Sequence, residues 1–127
     1  MNLELVLLQE SFGVCRLESS SRIPEWAMRG EFFSITRTNQ ELSIVALEES
    51  IPMGVKAERG WRVLGILGVL DFSLVGVIAE ISSILAQESI SIFVVSTYDT
   101  DYILVREDRV YKAIHALGGA GYRVKGE

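Results

Sequence analysis

The chain has 127 residues, 49% hydrophobic and 23% charged, and carries a net charge of −5. That length suits one compact domain or two small fused ones, and the composition is that of a globular chain rather than a disordered one. The acidic balance, with twelve scattered Lys and Arg residues, lacks the basic footprint of a nucleic-acid binder.

A lone cysteine, Cys15, excludes an intrachain disulfide; in its apolar, strand-like surroundings it reads as a buried, inert thiol. The start (MNLELVLL) places Glu4 inside a short apolar run with no basic leader, unlike a signal peptide. The longest apolar-plus-glycine run, 63–70, ends at Asp71 and is too short to cross a bilayer. A cytoplasmic protein with no membrane partner is the expectation.

Along the chain, 12–17 (FGVCRL) is followed by a Ser19-Ser20-Ser21 loop and a short stretch around Pro24–Met28. Residues 33–45 alternate like two strands with a turn. The segment 48–59, with Pro52 and Gly54, is a poor helix and reads as a linker or irregular edge.

The second half is clearer. Residues 61–68 (WRVLGILG) read as a buried strand, then a helix with Asp71 or Ser73 as N-cap candidate. Its apolar face is Leu74, Val77, Ile78, Ile81, Ile84 and Leu85, with Gly76 one turn in. Residues 90–97 (ISIFVVST) are β-branched and aromatic and read as a strand. Tyr98-Asp99-Thr100 is a turn, and 101–106 (DYILVR) the return strand. A second helix over 108–117 presents Val110, Ala113, Ile114 and Leu117 inward and stops at Gly118-Gly119; 121–125 is a last strand.

The order βαββαβ predicts an α+β, ferredoxin-like sandwich, two helices on one face of an antiparallel sheet. The other face is also apolar in places and needs a cover. Residues 33–45 can be laid without gaps on 93–105, sixty residues on, so that Phe33 meets Phe93 and Glu41 meets Asp101. This suggests two tandem units, the first degenerate, divided as 1–59 and 60–127.

Catalysis finds little support. His115 is the only histidine and sits mid-helix. No Cys/His cluster has metal-ligand spacing, Asp99 and Asp101 lack further oxygen ligands, and Gly118–Gly121 lacks the Lys-Ser/Thr of a phosphate loop. Neither an enzyme nor a cofactor or metal site is expected. What remains is a binding pattern. Backbone N–H groups where 69–76 (VLDFSLVG) enters the helix suit a carboxylate. The polar hairpin end 96–101 (STYDTD) offers a carboxylate to an ammonium or guanidinium. Together they complement a zwitterion.

These segments, 70–76 (LDFSLVG) and 90–105 (ISIFVVSTYDTDYILV), with 34–38 (SITRT) and 41–45 (ELSIV), resemble the ACT domain. More narrowly, they are similar to the tandem-ACT family that includes the CASTOR arginine sensors and small prokaryotic relatives. The resemblance implies a regulatory, non-catalytic fold that holds amino acids at seams between units, and a homodimer signalling to a protein partner. Carried over by position, Ser91 and Ile92 would touch the ligand from one unit. Phe72, Ser73, Leu74, Gly76 and Val77 would line the helix start of the facing unit. Thr97, Tyr98 and Asp101 would meet the ligand's far end, Asp101 facing a cationic group. The family's arginine sensors carry an acidic residue early in this helix where this chain has Ser73 and Leu74, so a smaller or neutral amino acid fits as well as arginine. The alternative is a protein-interaction module of the same fold that has lost its ligand, with Tyr98 and Tyr102 as aromatic anchors.

Overall fold

A computed structural model describes residues 3–68 and 76–126. Its strands are β1 (Glu4–Leu7), β2 (Phe12–Leu17), β3 (Ser34–Arg37), β4 (Leu42–Leu47), β5 (Ala57–Ile66), β6 (Ile92–Ser96), β7 (Asp101–Arg106) and β8 (Arg123–Gly126). Its helices are α1 (Val77–Gln87) and α2 (Val110–Gly119), and 3-10 turns stand at Glu25–Met28, Glu48–Ser50 and Glu107–Arg109. The chain divides into two compact units, Glu10–Trp61 and the combination of Met1–Gln9 with Arg62–Glu127. The boundary at Trp61 lies two residues from the division read from the sequence, whereas the N-terminal nine residues go with the C-terminal unit.

In the C-terminal unit the strand order is β6-β7-β5-β1-β8. The run β5-α1-β6-β7-α2-β8 is the βαββαβ pattern, and β1 is a fifth strand, antiparallel to β5 and parallel to β8. Alternation puts Leu64, Ile66, Ile103 and Val105 on one sheet face. Val77, Ile81 and Leu85 of α1 and Val110, Ala113 and Leu117 of α2 pack there, all buried, with Leu5, Ile90 and Tyr122. Both helices therefore cover the same face. Val63 and Leu104, on the opposite face, are also fully buried.

Both helices end in the same way. The N–H groups of Ser89 and Ile90 donate to the Ala86 and Leu85 carbonyls; those of Gly121 and Tyr122 donate to Gly118 and Leu117. Each is a Schellman stop, which needs one left-handed residue and a following apolar contact back to the last turn. Gly121 takes that conformation at φ +100, and so does Ser89 at φ +60. Ile90 and Tyr122 supply the contacts. The second helix thus runs through Gly118-Gly119 and stops at Gly121, because only the latter has a positive φ.

The N-terminal unit pairs its strands as β3-β4-β2-β5, all antiparallel. It follows the same path with one 3-10 turn, Glu25–Met28, in place of the first helix and another, Glu48–Ser50, in place of the second. Cys15, Ala27, Leu42, Ile44, Ala46 and Ile51 form its core. Burial pushes the Cys15 thiol up to about 11, slightly opposed by the Arg59 charge, as suits an inert core thiol.

Three local expectations change. First, β5 begins at Ala57, four residues before the strand expected from 61. Its charged start, Glu58-Arg59, hides the strand, which pairs with β2. The partners step from Val14↔Glu58 to Phe12↔Trp61, a bulge with Gly60 at φ +80 and its N–H held by Glu48 Oε1 at 2.7 Å. Second, α1 starts at Val77 with Gly76 as its N-cap at φ +90, not one turn inside. That left-handed backbone ends the helix on its N-terminal side. The expected caps Asp71 and Ser73, and Leu74 of the expected apolar face, lie outside the described residues. Third, the internal repeat has a spacing of 59, not sixty: Ser34↔Val45 and Ile35↔Ile44 in one hairpin match Phe93↔Leu104 and Val94↔Ile103 in the other. A slip of one residue exchanges sheet faces, and alternating apolar strands resemble themselves at either spacing when only letters are compared.

Candidate ligand site

The β6–β7 hairpin ends in a tight polar turn. The Thr97 N–H donates to the Thr100 carbonyl at 2.8 Å, the Thr97 hydroxyl donates to the same carbonyl at 3.1 Å, and the Thr100 N–H returns to Thr97 Oγ1 at 3.2 Å. Thr100 Oγ1 donates to the Ile66 carbonyl at 2.9 Å, tying the tip to the last residue of β5. Tyr102 lies against Gly65 on that strand, close enough that a Cβ there would sit 3.0 Å from the ring. The hairpin end is thereby fixed beside the exit of β5, where the chain leads toward α1.

Asp101 is half-buried and pairs with Ser96. Alternation from Ile103 and Val105 puts its side chain on the helix-covered face of the sheet. In a βαβ path the helix returns antiparallel to its strand, so the start of α1 stands at this same end. Val77 is buried in the same core cluster as Ile66 and Ile103. Among the described residues no side chain caps the start of α1; its first turn closes through the Glu80 N–H donating to the Gly76 carbonyl at 2.8 Å. The preceding N–H groups, at 77–79, are those that find no carbonyl partner within their own helix, and they carry the positive end of its dipole.

Of the expected site residues, Thr97, Tyr98 and Asp101 stand at the hairpin tip, and the βαβ path directs Gly76 and Val77 toward the same end. Tyr98 stands 82% exposed at the tip. Ser91 and Ile92 are at the other end of β6, where Ile92 pairs with Val105. They are about 13 Å from the tip by strand rise, so one unit does not bring them to Asp101. Phe72, Ser73 and Leu74 lie outside the described residues. Sequence reasoning passed over Thr100, whose tie to Ile66 builds the corner; its signal was the Thr-x-x-Thr spacing of a side-chain-closed turn.

Elsewhere the chemistry is sparse. His115 is exposed on α2. Among the described residues no group of three or more His, Cys, Asp or Glu could hold a metal ion, and no helix is long and apolar enough to cross a membrane. Burial, with the Glu80 carboxylate adding to it, pushes the Tyr122 phenol up to about 12.

A βαββαβ unit with both helices on one sheet face defines the class, and comparison with known proteins agrees. The ACT-domain family profile matches residues 56–118, and a second profile, described as an N-terminal domain, matches 10–54. The chain belongs to the ACT-domain family. Protein Atu0741 from Agobacterium tumefaciens is 40% identical, with a TM-score of 0.94 over 100% of this chain and 95% of that one. The human cytosolic arginine sensor for mTORC1 subunit 1 is 31% identical over 100 residues, 70% of this chain and 30% of the sensor. The chain thus spans under a third of the sensor's length. The regulatory subunit of aspartate kinase from Thermus flavus shares the fold, with a TM-score of 0.63 at 13% identity over 91% of this chain and 95% of that one.

Proposed function

We propose that this chain is a non-catalytic, cytoplasmic regulatory module that binds a free amino acid at an ACT–ACT interface and signals its presence to a partner. What supports the reading is topology: the N–H groups at the start of α1, which no described side chain caps, follow the end of β5 to which the hairpin tip is tied, and alternation puts Asp101 on the helix-covered face. The first suits an α-carboxylate and the second an ammonium or guanidinium. Relatives named for arginine sensing and for aspartate kinase regulation support it.

The interface is between two copies of this chain. Among the described residues, β3, β6 and β8 each pair on one side alone. β8 carries Arg123 and Lys125, and β3 carries Arg37, the usual protection of an edge. β6 (IFVVS) has no charge, proline or bulge and among the described residues pairs only with β7. Antiparallel pairing of two β6 strands about Val94 lays Ile92 of the partner subunit against Ser96. It also brings Ser91 of the partner subunit to Thr97, uniting residues that one chain holds apart. Ser73, Leu74 and Phe72 complete the helix side of this reading.

A thermal-shift panel of the twenty amino acids tests it. At a hundred times the dissociation constant the ligand adds about 2.7 kcal/mol to stability. Val94→Lys should both dissociate the dimer and abolish the shift. No response to any amino acid at millimolar concentration removes the proposal. It leaves the second reading, a ligand-free interaction module, which the loss of both helices from the first unit favours.

A further inference from the structure

We infer that the N-terminal unit is a self-strapped copy of the ligand site, closed by its own arginines, so that each chain offers one amino-acid site. The inference rests on the amino-acid-binding reading for what the C-terminal site takes, but its structural half stands alone.

At the spacing of 59, Thr38 falls on Thr97 and repeats its turn. The Thr38 N–H donates to the Glu41 carbonyl at 2.9 Å, and Thr38 Oγ1 accepts from the Gln40 and Glu41 N–H groups at 3.1 and 3.2 Å. The scaffold of the hairpin end is thus retained. The carboxylate grip on a zwitterion is gone and the amide grip is reduced. The residue equivalent to Asp101 is Leu42, which is fully buried. The 3-10 turn Glu25–Met28 follows Pro24, which has no N–H to offer, and the Ala27 N–H is already bonded to the Pro24 carbonyl. Glu25 in that first turn would repel a carboxylate; it pairs with Arg29 at 2.5 Å, which draws its own carboxyl below the usual range.

Guanidinium groups close the same corner. Arg37, which stands where the other hairpin has Ser96, donates through Nη1 to the Ser19 carbonyl and through Nη2 to the Ser21 carbonyl at 2.7 Å. Arg16 Nη2 donates to the Gln40 carbonyl at 2.9 Å. The loop between β2 and the 3-10 turn is thus fastened to the end of β3, and β2 to the hairpin tip. A neutral threonine makes the corresponding tie in the C-terminal unit. Arg37 is a positioning residue, holding in place a loop that a longer helix would otherwise fix.

Two measurements test this. The first is hydrogen exchange on Arg37→Met, which keeps the stem and removes the fork, with Arg16→Met as second variant. The Ser21 N–H, bonded to the Glu18 carbonyl, should exchange about tenfold faster in Arg37→Met, with amides of β6 and β7 unchanged. The second is native mass spectrometry of the wild type with each of the twenty amino acids, which should show no more than one bound per chain. Unchanged Ser21 exchange, or two ligands per chain, overturns the inference. If no amino acid binds at all, the functional reading fails, and the exchange of Ser21 alone decides the strap.

Discussion

The two hairpins of this chain, β3–β4 and β6–β7, are one structure in two different surroundings. They share a register at a spacing of 59, a threonine-closed turn and matching burial along the returning strand, where Ile44–Ala46 and Ile103–Val105 are all buried. They differ in what stands beside the turn. One has Leu42, a proline-led single turn and two arginines bonded to carbonyls; the other has Asp101, Thr100 and an eleven-residue helix. The hairpin is therefore set by the strands, while the polar groups beside the turn differ in a few residues at one end. Losing a helix removes a set of amide donors and also a cover for the sheet, so the first unit needs other means of fixing its loops.

The comparison is most severely strained by cavities at equivalent core positions. Ile103→Ala and Ile44→Ala should each lower stability by about 2–5 kcal/mol in chemical denaturation. The larger loss is expected at Ile103, whose face two helices cover. Equal small losses would mean the first unit's turns cover it as well as helices do.

Alkaline titration sharpens the same contrast with one group in each unit. The Cys15 thiol titrates near 9.0 when unfolded and at about 11 when folded; for the Tyr122 phenol the values are 10.0 and about 12. In each window the unfolded state has lost the proton first, so stability falls as pH rises, by about 2–3 kcal/mol per group over the full range. Cys15→Ala should flatten the fall between pH 9 and 11 and leave the upper part; Tyr122→Phe should do the reverse. Stability curves against pH for the two variants check this.

Smaller effects test the helix ends and the turns. Ser89→Gly should stabilise by about 1 kcal/mol, since serine bears a left-handed strain that Gly121 avoids, and Gly121→Ala should destabilise by a similar amount. Thr97→Val and Thr38→Val should cost about 0.5–1.5 kcal/mol each and equally, if the two turns are the same structure. Thermal melts resolve both pairs.

Much of the C-terminal unit was legible in the letters. Strand β7 matches its expected bounds at both ends, since Asp101 and Arg106 bracket an apolar run. The faces of α1 and α2 follow their helical spacing, with Val77, Ile81 and Leu85 buried as read. The degenerate first unit was recognisable by its hairpin. Other features depend on backbone states or distant partners that letters do not carry. Gly76 reads as a weak helix residue until its φ makes it the cap, and Glu58-Arg59 reads as linker until β2 is seen beside it. Strand β1 gives no sign that it belongs between β5 and β8, because that pairing closes only when β8 arrives at the far end of the chain. Of the proposed site, the hairpin tip and the helix start were singled out from the letters, whereas Ser91 and Ile92 lie toward the far end of β6.

Amide chemical shifts, recorded as each free amino acid is titrated into the labelled chain, test the account most directly. It predicts saturable shifts for one or a few amino acids, centred on Gly76–Val77 and on Thr97–Asp101, with the Thr38–Glu41 turn unmoved. Shifts centred on the first hairpin, or spread with no centre at either segment, would contradict it.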